Sequence, residues 1–271
     1  MSDKTAFGDR MKSYEKREAG RRFLPMLPVC VRIDGKRFSR WTQGLKRPYD
    51  QRLSDLMVAV TVALVEQTGA VIGYTQSDEI SLVLFSDDAK RPVYLDGRIQ
   101  KMTSILASSA TASFNHEARE RLPERAGMPA LFDCRCWLVP TLEEAANTLL
   151  WRERDATKNS VSMAARHYYE HGAIHGKTGV EMQDMLHEKG VNWNDYPAFF
   201  KRGTFVRRRS VTRRFTADEL AALPERHEAR RDPELMVTRS SVEPLAMPPF
   251  SKVINRVGVV FRGETPELAG E

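Results

Sequence analysis

The sequence predicts an α+β protein built on a ferredoxin-like split βαβ unit, an antiparallel sheet covered by two helices on one face. Three observations carry that expectation. Four short runs are β-branched and alternating, two longer runs have helical apolar spacing, and their order is strand, helix, strand, strand, helix, strand.

Residues 28–34 alternate and end at Asp34-Gly35, where a basic turn, Lys36-Arg37-Phe38, begins a loop. Across residues 50–67, Leu53, Leu56, Met57, Val60, Leu64 and Val65 recur at helical spacing, which predicts an amphipathic helix ending near Gly69. Ala70–Thr75 and Ile80–Phe85 read as a hairpin whose tight connection, Gln76-Ser77-Asp78-Glu79, carries both acids. Gly97–Glu120, rich in Ala, Ser and Met, predicts a well-buried helix stopped by Pro123. Phe132–Val139 alternates again and forms the fourth strand, closed by Pro140.

From Thr141 the character changes. Thr141-Leu142-Glu143-Glu144 has the form of a capping box and opens a helical region through about His171, with Gly172 as its breaker. A shorter helix is expected over Thr178–Glu188, with Thr178 as N-cap and Gly190 as C-cap. Charge then accumulates: Lys201, Arg202, Arg207, Arg208, Arg209, Arg213 and Arg214 surround Gly203-Thr204-Phe205, and Arg226, Arg230 and Arg231 follow in a more polar tail. The expected organisation is a catalytic body over residues 1–140, a helical region over 141–206 that packs on it, and a basic C-terminal extension of unknown role over 207–271.

Composition bounds the function. A chain of 271 residues with 41% hydrophobic content can bury a real core. Its 42 Lys and Arg against 36 Asp and Glu give a net charge of +6, which favours polyanionic partners such as RNA. The cysteines, Cys30, Cys134 and Cys136, form no Cys-x-x-Cys pattern, so neither a disulfide framework nor a zinc knuckle is expected and a reducing cytoplasm fits. The N-terminus, Met1-Ser2-Asp3-Lys4, has no apolar signal core, and no apolar run reaches the roughly 20 residues of a membrane span. No internal repeat or low-complexity tract is present.

The acidic residues carry the chemistry. In a split βαβ unit the first and third strands lie side by side at the sheet centre, so Asp34 can meet Asp78 and Glu79 at the hairpin turn. An isolated Asp-Gly at a strand end is usually only a turn. Carboxylates brought together repel one another, however, unless a cation lies between them. The donors are all oxygen, so magnesium fits best, with the Gly35 carbonyl and waters completing the shell. Asp78 is the first candidate ligand and Glu79 the weaker one, because adjacent side chains point differently. Gly35 permits close approach, and the amides of Lys36, Arg37 and Phe38 can form a nest for a triphosphate.

Other groups have blander readings. His167, His171 and His175 recur at i, i+4 and i+8, but Gly172 intervenes and no H-E-x-x-H motif is present. Trp151, Tyr168, Tyr169, Trp193 and Tyr196 could stack on bases, though aromatics at such spacing more often fill a core. The cluster at Lys201, Arg202, Arg207, Arg208 and Arg209 is the better RNA candidate, because arginines along a strand can meet a phosphate backbone.

Five blocks, Val31-Arg32-Ile33-Asp34-Gly35-Lys36-Arg37-Phe38, Gln76-Ser77-Asp78-Glu79-Ile80-Ser81, Phe132-Asp133-Cys134-Arg135, Trp151-Arg152-Glu153-Arg154-Asp155 and Lys201-Arg202-Gly203-Thr204, resemble the tRNA-His guanylyltransferase family and its bacterial and archaeal Thg1-like relatives. The resemblance covers roughly residues 5–206. It implies a palm domain like that of ordinary polymerases. The implied activity is template-dependent addition of nucleotides to a tRNA 5′ end in the 3′-to-5′ direction, with two magnesium ions per site and ATP, GTP or other nucleoside triphosphates as substrates. It further implies that Asp34, Gly35 and Asp78 hold the metals, that Glu79 supports the acidic site, and that Ser77 lies near the activating nucleotide. Backbone at Lys36-Arg37-Phe38 would hold the incoming triphosphate, and Lys46 or Arg47 would serve activation. A homotetramer is implied as well.

The chain departs from the eukaryotic pattern, in which His-x-Asn-Asn follows Trp-Arg-x-x-Asp. Here Thr157-Lys158-Asn159-Ser160 keeps one matching Asn, Asn159, as a nucleotide-binding candidate. This resembles the Thg1-like branch and favours repair of 5′-truncated tRNAs over guanylylation of tRNA-His alone. Two other readings stand beside it. A palm-type nucleotidyl cyclase has a Gly-Gly-Asp-Glu-Phe turn similar to Ser77-Asp78-Glu79 but with a double Gly absent here. A catalytically silent RNA-binding protein could keep the fold, although Asp34 and Asp78 are intact.

Overall fold

The two strands that bear the acidic residues are hydrogen-bonded neighbours within one antiparallel sheet of six strands. The computed structural model describes residues 5–232 and 234–270, so the reading of Met1–Lys4 lies outside the described residues. The chain opens with a helix that the sequence reading does not anticipate, α1 (Ala6–Ala19), whose N-cap Thr5 accepts the Gly8 amide. Then come β1 (Val29–Gly35), α2 (Phe38–Trp41), α3 (Gln51–Thr68), β2 (Ile72–Gln76), β3 (Glu79–Leu84), α4 (Ile99–Arg121) and β4 (Phe132–Leu138). These include the expected strand, helix, strand, strand, helix, strand, at nearly the expected bounds. Asp50 caps α3, and Gly69 ends it in the left-handed conformation that glycine adopts at no steric cost.

The strand order is β4-β1-β3-β2, followed by β5 (Thr204–Arg214) and β6 (Met236–Leu245). β1 and β3 are adjacent as expected, but the two added strands move the middle of the sheet to the β3–β2 pair. Strand alternation sorts the side chains. Val31, Ile33, Ile80 and Leu82 turn to the face covered by α3 and α4, meeting Leu56, Val60, Leu64, Met102, Leu106 and Phe114. Cys30, Ile72, Tyr74, Val83 and Phe205 turn to the other face.

That second face is covered too. α5 (Leu142–Tyr168) lays Ala145, Ala146 and Leu149 on it, together with Phe250, Val253, Val259 and Val260 from the C-terminal segment. α6 (His171–Ile174), α7 (Gly179–Glu188), α8 (Ala198–Arg202) and α9 (Ala217–Ala222) complete the helices discussed here. The capping box at Thr178 is complete: Thr178 Oγ1 accepts the Glu181 amide at 3.2 Å and the Glu181 carboxylate accepts the Thr178 amide at 2.7 Å. At Thr141 the threonine hydroxyl accepts the Glu144 amide, while the Glu144 carboxylate accepts instead from Asn147 Nδ2 at 3.0 Å.

α5 ends at Tyr168 because Tyr169 is extended, so the expected continuation to His171 does not form. His167 is thereby separated from His171 and His175, which stack 5.8 Å apart at α6. Among the described residues no helix is long and apolar enough to cross a membrane.

β5 enters the sheet through a tight junction. Only Thr204, Phe205 and Val206 pair with β2; beyond them β5 pairs with β6 alone, as a two-stranded ribbon. Gly203 just before the junction has φ 74° and ψ −168°, a region open essentially to glycine. A Cβ there would lie 2.5 Å from the Thr75 carbonyl oxygen and 2.6 Å from the Tyr74 hydroxyl. Gly203→Ala is therefore expected to lower stability by about 2–4 kcal/mol, read from the urea midpoint. An unchanged midpoint would mean that the junction yields without cost.

Candidate active site

Register brings the acids together before any side chain is considered. Asp34 is the cross-strand partner of Glu79 on one side and of Asp133 on the other, which puts three carboxylates in a row at the ends of β4, β1 and β3. The next row toward the sheet interior is Arg135, Arg32 and Ser81. The hairpin between β2 and β3 is the two-residue turn Ser77-Asp78, with Ser77 in the left-handed region at φ 54°.

Asp78 lies against the end of β1. The Gly35 amide donates to the Asp78 carbonyl at 3.2 Å, and a Cβ on Gly35 would fall 3.1 Å from the Asp78 Cβ and 2.5 Å from the Phe38 ring. Only glycine leaves room for this approach. Burial lifts the Asp78 carboxyl from its ordinary 3.8 to about 6, and the Asp34 charge adds to the rise. Asp78 makes no ion pair among the described residues. Asp34 is paired weakly, with Arg32 Nη2 3.7 Å from its Oδ1, and remains about a third exposed at 32%. Two under-neutralised carboxylates beside the Gly35 carbonyl form an all-oxygen donor set, which suits a hard divalent cation. Asp34, Asp78 and Gly35 therefore fit magnesium. Among the described residues no group of three or more His, Cys, Asp or Glu side chains is arranged to hold a metal, so this donor set rests on two carboxylates and a backbone carbonyl.

Glu79 has a different environment. Burial pushes its carboxyl upward, against the opposing pull of Arg152 and Arg32. Arg152 Nε and Nη2 reach its two oxygens at 2.5 and 2.6 Å. Arg32 Nε stands 2.9 Å from Oε2, an ion-pair contact off the line of a hydrogen bond.

Beside the acids opens a cleft of about 440 Å³. It gathers Phe38, Lys46, Arg47, Ser77 and Asp78, with Leu45, Tyr49, Met163 and Phe199 as an apolar wall. The basic loop is anchored at its far end, where Asp50 accepts the Lys46 amide at 3.4 Å and pairs with Arg52, which also reaches Glu124 at 2.8 Å.

The expected nest of amides is narrower than the sequence suggests. The Lys36 amide is committed to the Leu131 carbonyl at 2.8 Å, which leaves those of Arg37, at φ 54°, and Phe38. Asn159 does not line the cleft; it sits on α5 with Nδ2 3.5 Å from Asp155. Lys201 bonds the Asn194 carbonyl beside the Trp193 ring, and Arg202 is half-buried. The three successive arginines are not brought together. Arg207 donates to the Val259 carbonyl and Arg209 pairs with Glu243 at 3.2 Å on one face, while Arg208 reaches Ser240 and the Glu66 carbonyl on the opposite face.

Of the aromatic candidates, Tyr169, Trp193 and Tyr196 are packed into helix contacts, and Trp151 and Tyr168 are exposed. Sequence reasoning gives no role to Arg32, Arg152 or Glu153. The available signals were an arginine two residues before Asp34 on an otherwise apolar strand, and an Arg-Glu pair inside an apolar helical stripe.

Comparison with known proteins follows the geometry. A family profile described as tRNAHis guanylyltransferase (Thg1) matches residues 8–140. A bacterial tRNA(His) guanylyltransferase (Thg1)-like protein in complex with ATP is 39% identical, with TM-score 0.70, over 74% of this chain and 88% of that one. A bacterial Thg1-like protein in complex with GTP is 32% identical, with TM-score 0.70, over 92% of this chain and 95% of that one. The tRNA(His) guanylyltransferase of Saccharomyces cerevisiae is 25% identical, with TM-score 0.60, over 70% of this chain and 90% of that one.

The raised Asp78 pKa makes a test without any ligand. A carboxyl with a folded-state value of about 6 and an ordinary value of 3.8 stabilises the fold below pH 3.8 and loses that contribution as the pH rises through 6. Ionised Asp78 thus burdens the metal-free fold at neutral pH. Asp78→Asn, in chelator near neutral pH, is expected to gain about 1 kcal/mol after allowance for solvent screening, roughly 2–4 °C in Tm. The gain should shrink as the pH falls below about 6. A lowered Tm near neutral pH would mean that Asp78 has a neutralising partner.

Proposed function

Because the chain belongs to the tRNAHis guanylyltransferase (Thg1) family and is a nucleotidyltransferase, we propose that it adds nucleotides to the 5′ end of tRNA in the 3′-to-5′ direction, directed by pairing with the opposite strand. The observation that carries this reading is Asp78 in the lining of a cleft that also holds Lys46 and Arg47, with Asp34 near enough for its charge to act on Asp78. The unit of β1 to β4 with α3 and α4 is the palm of this proposal. Assembly as a homotetramer and a cytoplasmic setting belong to it as well; free Cys30, Cys134 and Cys136 suit the latter.

Two transfers complete the reaction. In the first, an oxygen of the tRNA 5′-monophosphate attacks the α-phosphorus of ATP, the bond to pyrophosphate breaks, and the 5′ end becomes adenylylated. In the second, the 3′-hydroxyl of the incoming nucleoside triphosphate attacks the tRNA 5′-phosphorus, gives up its proton, and AMP leaves. Two magnesium ions held by Asp34, Asp78 and the Gly35 carbonyl would neutralise triphosphate charge and favour the attacking oxygen's ionised form. Lys46 and Arg47 bind triphosphate from the cleft wall, while the Arg37 and Phe38 amides approach it from the backbone. Ser77, exposed at the turn, meets the activating nucleotide, and Asn159 approaches from α5.

Identity is higher to the bacterial Thg1-like structures, 39% and 32%, than to the yeast enzyme, 25%. Together with Thr157-Lys158-Asn159-Ser160 in place of His-x-Asn-Asn, this supports repair of truncated tRNAs over guanylylation of tRNA-His alone. The cyclase reading and the silent RNA-binding reading gain no comparable support.

The tRNA is proposed to lie on the sheet face that carries Asp34 and Glu79. Arg209 shares that face with Phe205, whereas Arg208 points away from it. Arg209→Glu is expected to weaken tRNA binding several-fold and flatten the slope of log affinity on log salt by about 1, while Arg208→Glu leaves both unchanged. The reverse pattern in a filter-binding titration would move the tRNA to the other face. The reaction itself is tested with a tRNA lacking its first 5′ nucleotide, ATP, magnesium and labelled nucleoside triphosphates. Template-matched label should join the 5′ end with wild type and fall at least about 10³-fold with Asp78→Ala. No incorporation by wild type, even on 5′-triphosphorylated tRNA, would refute the reading.

A further inference from the structure

Glu79 sits next to Asp78 in sequence, yet its oxygens are already occupied. Oε1 receives Arg152 Nε at 2.5 Å and lies 3.5 Å from the Ser81 hydroxyl; Oε2 receives Arg152 Nη2 at 2.6 Å and faces Arg32 Nε at 2.9 Å. Of the carboxylate's roughly four lone-pair positions, three accept hydrogen bonds and an arginine charge stands against the fourth. The residue is 8% exposed, as is Arg152. Glu79 is thus an anchor for arginines, not a donor to a cation.

The anchor secures a turn under strain. Ser77, a non-glycine residue at φ 54°, holds a backbone conformation that persists only where its surroundings over-determine it. On one flank the Thr75 hydroxyl donates to the Glu79 carbonyl at 2.9 Å. On the other, Arg152 grips the Glu79 side chain across a sequence separation of 73 residues. Arg152 is itself held, with Nη2 3.1 Å from Asp155. The helix that bears it is fixed one residue on, where Glu153 accepts the Phe250 and Ser251 amides at 2.9 and 3.3 Å.

We propose that Arg152 is a positioning residue: acting through Glu79, it fixes the Ser77-Asp78 turn so that the Asp78 carboxylate faces Asp34. The inference rests on the reading of Asp34 and Asp78 as cation ligands, and it adds the group that sets their separation. It has a signature opposite in sign to simple electrostatics. Removing a positive charge near a cation site should tighten cation binding by Coulomb's law. Removing a positioning residue should weaken it.

The experiment titrates the full chain with Mn2+ alone, by electron paramagnetic resonance, in wild type, Arg152→Leu, Arg152→Lys and the double variant Arg152→Met/Glu79→Gln. Hydrogen exchange of the 76–80 segment is followed in parallel. Arg152→Leu is expected to bind Mn2+ about tenfold more weakly, in the range seen when groups that orient metal ligands are lost, and to exchange faster at 76–80 while 29–34 is unchanged. Arg152→Lys keeps the charge but not the two-pronged grip, so it should weaken binding as well. The double variant leaves no unpaired buried charge; it should recover thermal stability while still binding Mn2+ weakly. Unchanged or tighter Mn2+ binding by Arg152→Leu, or full affinity in the double variant, would overturn the inference. A wild type that binds no Mn2+ would instead sink the cation reading, and the exchange of 76–80 would then decide alone whether Arg152 fixes the turn.

Discussion

The register of β1 against β3 pairs Asp34 with Glu79, and the site depends on that pairing. A slip of one residue would carry Asp34 and Arg32 into the layer filled by α3 and α4, and would drive Ile33 and Val31 out of it. The cost of burying two charges among apolar side chains and removing two aliphatic side chains from that layer makes the register strongly specified. The shortness of the Ser77-Asp78 turn does the rest, since two residues between β2 and β3 leave no slack in where Asp78 can lie. Hydrophobic alternation, a property of the whole strand, thus determines the geometry of two carboxylates at its end.

Charge compensation is uneven across that end of the sheet. Arg32 and Arg152 converge on Glu79, whereas Asp34 receives one loose contact and Asp78 none among the described residues. A buried ion pair contributes little net stability, because removing two charges from water offsets most of the attraction between them. Its value lies in direction. The Arg152 fork admits few orientations of the Glu79 carboxylate, and Glu79 is joined through one peptide bond to Asp78. α5 links this pair to the C-terminal segment through Glu153, so residues far apart in sequence bear on one turn.

Much of this was legible in the sequence, and the exceptions have physical causes. The strands and the two helices on one face follow from periodicity, and Gly69 and Thr178 mark helix ends through backbone freedom or their own hydrogen bonding. Asp34 and Asp78 stood out because acids end β-type runs. Arg152 could not be assigned from its own surroundings, since its partner is 73 residues away and only the tertiary fold joins them. The ribbon of β5 and β6 was hidden for another reason. Ser210, Thr212, Thr238 and Ser240 make it polar and exposed, so it lacks the apolar alternation by which a half-buried strand is recognised. The Lys36 amide was miscounted because its partner, Leu131, comes from the loop before β4.

The contrast between Asp78 and Glu79 argues for function on its own. Both are removed from bulk water at one end of one sheet, and burial raises both carboxyls. A fold selected for stability alone would treat them alike, by pairing each with a cation or replacing each with an amide. Here one acid is given two arginines, and its neighbour is left ionisable and without one beside a second, partly exposed carboxylate. That arrangement costs stability at neutral pH, because the hydrogen bonds from the Ser77 side chain and the Asp78 backbone favour the charged carboxylate without outweighing its burial. In the proposed reading a cation supplied from outside the chain would resolve the cost, and Lys46 and Arg47 in the cleft wall would meet the polyanion that arrives with it.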